Sequence, residues 1–307
     1  MKVLVVGFGS IGKRHYEILT TILGVNNVFV VTRRHASIVN KFGSLESVDG
    51  IDDYDYFVIA SKTAEHHRDL VYVNSRVSGK KILVEKPLYE TIKPNLVNNN
   101  QILVAYNLRF HPLVTQCKDR LKTKKIISAR FYAGQYLPTW RPNTDYRTSY
   151  SAKKDEGGGI LLDYSHDIDL INYLLGDIHK IESFNGKISD LDITSDDYLA
   201  MIGVTKNNIH FSLSLDSISK IQKREIQINL EDETIVLDLI GNTLKVKENN
   251  KALMTYELES YVRNISFENM HQLILASNTA EVATYDDGVK LSIIFSKITN
   301  SSSQKGW

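Results

Sequence analysis

The sequence predicts an α/β chain in two parts: a parallel sheet covered on both faces, then a mostly antiparallel sheet. Three observations predict it. The chain opens on the apolar run Lys2–Val6, followed at once by Gly7, Gly9 and Gly12 and by a helical pattern over Lys13–Leu23. Short strands rich in Val, Ile and Leu then alternate with helical stretches as far as Tyr106, the pattern of strands buried on both faces. From Ile178 to Lys247 apolar and polar residues alternate between turn signals instead, as in an antiparallel sheet.

The first three glycines have separate uses. Gly7 allows a tight turn, Gly9 lets the backbone approach a pyrophosphate, and Gly12 lets the helix pack closely on the strand. The helix start offers unpaired N–H groups and a positive dipole end to an anion, and Ser10 and Ile11 join the three glycines as cofactor-binding candidates. Residues 1–106 therefore read as a Rossmann dinucleotide-binding domain. Further strands are predicted at Val28–Val31, Tyr56–Ala60, Ile82–Glu85 and Ile102–Tyr106, with helices at Ala64–Val77 and Ala36–Phe42. Where the second strand ends, a carboxylate would grip the ribose hydroxyls of NAD. Thr32, Arg33 and Arg34 stand there instead and suit a 2′-phosphate, so NADP is the expected cofactor and NAD the alternative.

Residues 107–307 read as an α+β domain for substrate binding and oligomerisation. A helix is predicted at Pro112–Leu121, a strand at Ile126–Tyr136 and a polar, aromatic loop from Leu137 to Glu156. The apolar helix Ile160–Leu175 stops at Gly176. Five or six antiparallel strands follow, with a hairpin at Asn207-Asn208, and helices near Tyr261–Ala276 and Thr284–Ile298 finish the chain.

Two clusters carry chemistry. Glu85-Lys86-Pro87 closes a buried strand, and ligands of parallel nucleotide folds bind outside the carboxyl ends of the strands, so Lys86 is expected to face the reactive ring of the cofactor. Asp163 and His166 stand three apart on a predicted helix and share a face: His166 would exchange a proton, while Asp163 would orient it or bind substrate. Asp163, His166 and Asp167 also offer metal ligands, but no further histidine has a matching spacing and no metal is expected. The loop ahead of this helix, Trp140–Arg147, is rich in sugar-binding side chains. Arg141, Asp145, Tyr146 and Arg147 are its substrate candidates, and its two arginines favour an acidic, phosphorylated or nucleotide sugar.

Composition narrows the class. A formal charge of +1 over 307 residues gives no field favouring nucleic acid or a membrane surface. No run is apolar enough to span a bilayer, and the N-terminus lacks a signal-peptide pattern. The single cysteine, Cys117, excludes an internal disulfide framework, and a reducing cytoplasm is the expected home.

Taken in order, Gly7–His15, the Ala60–His66 turn, Glu85-Lys86-Pro87, Tyr106–Phe110 and Gly157–Asp169 resemble the Gfo/Idh/MocA family (glucose–fructose oxidoreductase, inositol dehydrogenase, rhizopine catabolism). The resemblance covers essentially the whole chain. It implies an N-terminal Rossmann domain, a C-terminal domain with a large open sheet, and oxidation or reduction of a carbohydrate carbon with a tightly held nicotinamide cofactor. It implies that Lys86 and His166 act at the reacting carbinol or carbonyl with Asp163 assisting, and that His66 lies near the nicotinamide. Ser61 and Glu85 then belong to the cofactor side, Asn107 and Arg109 to the substrate side. Two departures stand out: the Asp163–His166 spacing is one residue shorter than the usual one, and Lys62 replaces a common proline.

The expected function is an NAD(P)-dependent sugar oxidoreductase, assembled as a homodimer or homotetramer through the C-terminal sheet. The alternatives are an enzyme using its nicotinamide as a shuttle for elimination or glycoside cleavage, a non-catalytic NADP-binding sensor and, more weakly, a metal-dependent enzyme.

Overall fold

A computed structural model describes residues 1–34, 38–97 and 99–304, with side chains as far as residue 300. The chain divides into two compact units. One comprises Met1–Asn107 and Arg263–Ile293; the other comprises Leu108–Val262 and the residues from Ile294 onward. The first unit thus takes in a late segment that the sequence reading leaves with the second domain.

In the first unit, β1 (Val3–Val6), β2 (Val28–Val31), β3 (Lys41–Phe42), β4 (Tyr56–Ile59), β5 (Lys81–Val84) and β6 (Gln101–Val104) form a parallel sheet in the order β6-β5-β4-β1-β2-β3. The order reverses at β1, which pairs with both β4 and β2, and such reversals open the crevice where nucleotides bind. Every residue of β1 and β4 is buried, as strands covered on both faces require. Helix α1 (Ser10–Leu23) buries Gly12, His15, Ile18 and Leu19 on one stripe, and α2 (Thr63–Asn74) buries His66, Asp69, Leu70 and Val73. Ala283–Thr284 adds an antiparallel strand at the free edge of β6. The helix expected over Ala36–Phe42 fails where it is described, because Lys41–Phe42 pairs with Val30–Val31; Ala36 and Ser37 lie outside the described residues.

The second unit begins with α3 (Pro112–Leu121), whose first turn is capped by His111, and β7 (Ile126–Gly134). Next come α4 (Ile160–Asp163) and α5 (Ser165–Leu175), then β8 (Ile178–Gly186), β9 (Tyr198–Thr205), β10 (His210–Asp216), β11 (Lys223–Leu230), β12 (Glu233–Asp238), β13 (Thr243–Glu248) and β14 (Met254–Glu257). These strands make one eight-stranded sheet, ordered β14-β13-β12-β11-β7-β10-β9-β8. All neighbours are antiparallel except β7 and β10, which run parallel with Phe131 opposite Leu213. Phe131, Leu213, Ile226, Ile228, Ile235 and Leu237 line the buried face. Alternation sends Tyr132, Ser212, Ser214 and Ile202 to the opposite face, and Ile202 is 61% exposed there. The apolar helix expected over Ile160–Leu175 is broken at Tyr164 (φ −99°, ψ 23°), which separates Asp163 from His166 by a helix boundary.

Candidate functional site

The turn from β1 into α1, the candidate nucleotide cradle of the first unit, is built by its glycines. Gly7 has φ +95° and donates its N–H to Val31 O (3.0 Å); a Cβ there would sit 2.7 Å from Ala60 O and Ser61 N. A Cβ on Gly12 would lie 2.2 Å from Gly7 O, so α1 approaches β1 as closely as it does only because that position is glycine. Gly9 differs: a Cβ there meets nothing within 4 Å. The fold itself has no need of a bare backbone at Gly9, and the open space beside it is what an approaching pyrophosphate requires. No side chain caps α1 and no acidic residue stands in its first turn, which leaves the amides of Ser10, Ile11 and Gly12 suited to an anion. These residues fit a dinucleotide.

Past β2, Thr32 is buried and its hydroxyl accepts the N–H of Arg34 (3.1 Å), while Arg33 and Arg34 are exposed. His66 is buried with Nδ1 3.0 Å from Pro87 O and Nε2 3.2 Å from Ser61 O, so it ties the loops after β4 and β5 together. Burial lowers its pKa against the Pro87 and Ser61 carbonyls and the Glu85 charge, which raise it. Lys86 is half-buried just past β5. Its main-chain N–H donates to Glu85 Oε2 (3.0 Å), and Glu85 Oε1 lies 2.7 Å from His15 Nε2. The role of His15 had no local signal, since an isolated histidine on a helix does not announce a partner seventy positions later.

In the second unit, Asp163 ends α4 and His166 lies in the first turn of α5, both half-buried. Tyr150, which the sequence reading passed over, donates its hydroxyl to Asp163 Oδ1 (2.8 Å). The Arg141 guanidinium stands 5.2 Å from the centre of the Tyr150 ring and donates to Ser149 Oγ. Asp163, Tyr150 and Arg141 thus form one polar group, with burial first and the Asp163 carboxylate second pushing the Tyr150 phenol above its ordinary range. A Cβ on Gly158 would fall 1.9 Å from Tyr150 O, and one on Gly159 (φ +123°) 2.1 Å from Asp196 Oδ1. The glycine run is therefore required by the neighbours of α4 themselves.

Asp196 accepts the N–H of Leu161 (2.9 Å) at the start of α4. Burial, with the nearby Asp163 and Asp197 charges adding, pushes its carboxyl up to about 6 against the bonds it accepts. The folded chain therefore binds this proton more tightly than the unfolded one, and the group withdraws stability as pH rises from about 4 to about 6. We expect Asp196→Asn to flatten urea stability over that window and to raise it above pH 6 by on the order of 1 kcal/mol. Stability that falls between pH 4 and 6 equally in both proteins would contradict this.

Four of the substrate candidates have partners within the protein. Arg109 is buried, forks onto Asp169 (2.9 and 2.7 Å) and lies 4.8 Å from the Tyr173 ring centre, so it braces α5. Tyr146 packs against Leu137, Ala152, Leu191 and Ile193, and its hydroxyl accepts the Asp192 N–H (3.2 Å). It belongs to the small core of the loop. Asp145 and Arg147 are exposed and bonded to each other at 2.9 Å. Asn107 is buried at the end of the first unit, whereas Arg141 is exposed. Among the described residues, no group of three His, Cys, Asp or Glu side chains is placed to hold a metal ion.

Residues 114–236 match the GFO/IDH/MocA C-terminal domain. Levoglucosan dehydrogenase of Pseudarthrobacter phenanthrenivorans is 29% identical over 165 residues, which span 48% of this chain and 41% of that protein. Among solved structures, levoglucosan dehydrogenase in complex with NADH and levoglucosan aligns over 100% of this chain and 98% of its own, with a TM-score of 0.81 at 18% identity. The super-repressor mutant Gal80(S2) of Gal80p from Saccharomyces cerevisiae aligns over 100% and 97%, with a TM-score of 0.81 at 17% identity. At these identities the structures share the fold. The family match thus falls on residues 114–236 of the second unit, and the first unit carries the parallel sheet order of a Rossmann fold.

Proposed function

We propose that this protein is an NAD(P)-dependent oxidoreductase that moves a hydride between the cofactor and a carbon of a sugar. The observation that carries the reading is the open space at Gly9 beside an uncapped helix, in a fold whose relatives include levoglucosan dehydrogenase bound to NADH. When bound, a nicotinamide supplies the hydride donor or acceptor. Lys86 hydrogen-bonds the reacting substrate oxygen and stabilises its negative charge, and His166 takes or gives the hydroxyl proton. Asp163, held by Tyr150, fixes the substrate side of the reaction. Arg141, exposed beside Tyr150, favours a substrate carrying a carboxylate or phosphate, such as an acidic or nucleotide sugar.

Absorbance of reduced cofactor with a panel of neutral, uronic, amino and nucleotide sugars tests this reading, and an absence of reduction with every class counts against it. Turnover without accumulating reduced cofactor would indicate a shuttle enzyme. The likeness to Gal80p shows that the fold also suits a regulator, in which case cofactor binds and nothing turns over.

Arg33 and Arg34, exposed past β2, support NADP over NAD. Fluorescence titration is expected to show tighter binding of NADPH than NADH, with that preference lost in the Arg33→Ala/Arg34→Ala double variant; a tenfold preference for NADH overturns it. The outer face of the eight-stranded sheet, with Ile202 exposed beside Ala200, Tyr132 and Ser214, supports pairing with a second copy. The buried Cys117, the only cysteine, suits a reducing cytoplasm, and no described helix is long and apolar enough to cross a membrane.

A further inference from the structure

Behind the Glu85-Lys86-Pro87 corner, four buried side chains of the first unit touch in series. The Tyr56 hydroxyl lies 3.0 Å from His271 Nδ1, His271 Nε2 lies 2.7 Å from His15 Nδ1, and His15 Nε2 lies 2.7 Å from Glu85 Oε1. They come from β4, the helix Asn264–Leu275, α1 and the end of β5. Tyr56, His271 and His15 are fully buried and Glu85 nearly so, which keeps bulk water from competing for these bonds.

The protons can be placed from the ends inward. Burial, with the Glu85 charge adding, keeps the Tyr56 hydroxyl protonated. Burial, with His15 beside it, keeps the His271 imidazole neutral. Burial alone would raise the Glu85 carboxyl, but the hydrogen bond with His15 leads the effects that hold it below its ordinary value. The carboxylate end can only accept, and the Tyr56 end has a proton to give. With Tyr56 donating to His271 Nδ1, the single His271 proton sits on Nε2, aimed at His15 Nδ1. His15 accepts there and donates from Nε2 to Glu85 Oε1, while Glu85 Oε2 receives the Lys86 main-chain N–H at 3.0 Å. Each group makes the bonds its protons allow, and all point one way.

We propose that Tyr56, His271 and His15 form a one-way hydrogen-bond row that pins the Glu85 carboxylate against the main chain of Lys86, which makes them positioning residues for the Lys86 ammonium. The other charged or titratable neighbours of Glu85 are His66 from α2 and Lys86 itself. Around His15 they are His271 and, across the Phe267 ring, Arg14. The positioning role rests on the reading of Lys86 as catalytic; the row itself does not.

Nitrogen-15 NMR of the full chain labelled at histidine reads the row directly. In the wild type the proton of both His15 and His271 is expected on Nε2. In Tyr56→Phe, which keeps the ring and removes the donor, His271 is expected to populate the Nδ1–H form. Glu85 then loses its fixed orientation, so acylation of Lys86 at pH 8, measured residue by residue by mass spectrometry, is expected to rise about threefold as the anion loosens its hold on the ammonium. Should Tyr56→Phe fail to fold, His271→Gln takes its place. A wild-type proton on Nδ1 of either ring overturns the row. Unchanged Lys86 labelling in a folded variant overturns the positioning role and leaves the four residues as core packing. Neither readout needs turnover, so a chain with an intact row and no sugar oxidation would count against the proposed function alone.

Discussion

Lys86→Ala is expected to lower kcat by roughly 10²–10⁴ while the dissociation constant for cofactor moves by less than about threefold. The asymmetry follows from where the residue sits. Lys86 comes just after β5, half-buried, with its main chain held by Glu85, so its side chain is offered at the carboxyl end of the sheet. Phosphate recognition is assigned to a different place, the turn from Gly7 to Gly12, and survives the substitution. On the proposed reading, a neutral side chain leaves the oxygen of the reacting carbon without its donor when charge develops there. Stopped-flow and steady-state assays on one substrate of the panel measure the effect. A kcat within threefold of wild type would remove Lys86 from the chemistry, and Lys86→Arg restoring most of the loss would identify charge rather than shape as the requirement.

The second large effect separates two glycines three positions apart. Gly12→Ala forces a methyl to within 2.2 Å of Gly7 O, main chain that cannot turn aside, so α1 must move off β1. The expected cost is about 2–4 kcal/mol, a large share of the stability of an ordinary domain, with loss of cofactor binding as a consequence of misfolding. Gly9→Ala meets nothing within 4 Å and keeps an extended backbone (φ −75°) that any residue adopts. Its melting temperature is expected within about 2 °C of wild type, yet cofactor affinity should fall at least about tenfold, because the new methyl occupies the space left for the phosphates. Thermal melts beside fluorescence titrations separate the two variants. Equal affinity in Gly9→Ala would show that no ligand approaches this backbone.

Much of this was legible because local chemistry and tertiary structure agree. The glycine spacing, the apolar strands and the exchange of a period of 3.6 for a period of 2 after Gly176 each reflect a single neighbouring constraint. What stayed hidden depends on partners distant in sequence. Arg109 looked like a substrate ligand until Asp169, sixty positions on, closed around its guanidinium. Tyr146 looked free to stack on a sugar until Leu191 and Ile193 packed against it. Tyr150 carried no signal because a tyrosine in a polar loop is common, and only the fold brings its hydroxyl to Asp163. The helix break at Tyr164 escaped because the apolar pattern on both sides continues across it.

The first unit is assembled from two stretches of chain separated by more than 150 residues: Met1–Asn107 and Arg263–Ile293. A ribosome that has released only the first stretch has delivered six strands, both of their helices and Glu85, but not His271 or the strand Ala283–Thr284 that covers the edge of β6. Until the segment from Arg263 to Thr284 has been made, that edge stays bare and His15 lacks its neighbour. A nascent chain stalled before Arg263 is thus the form most exposed to proteolysis and to pairing with other unfinished chains.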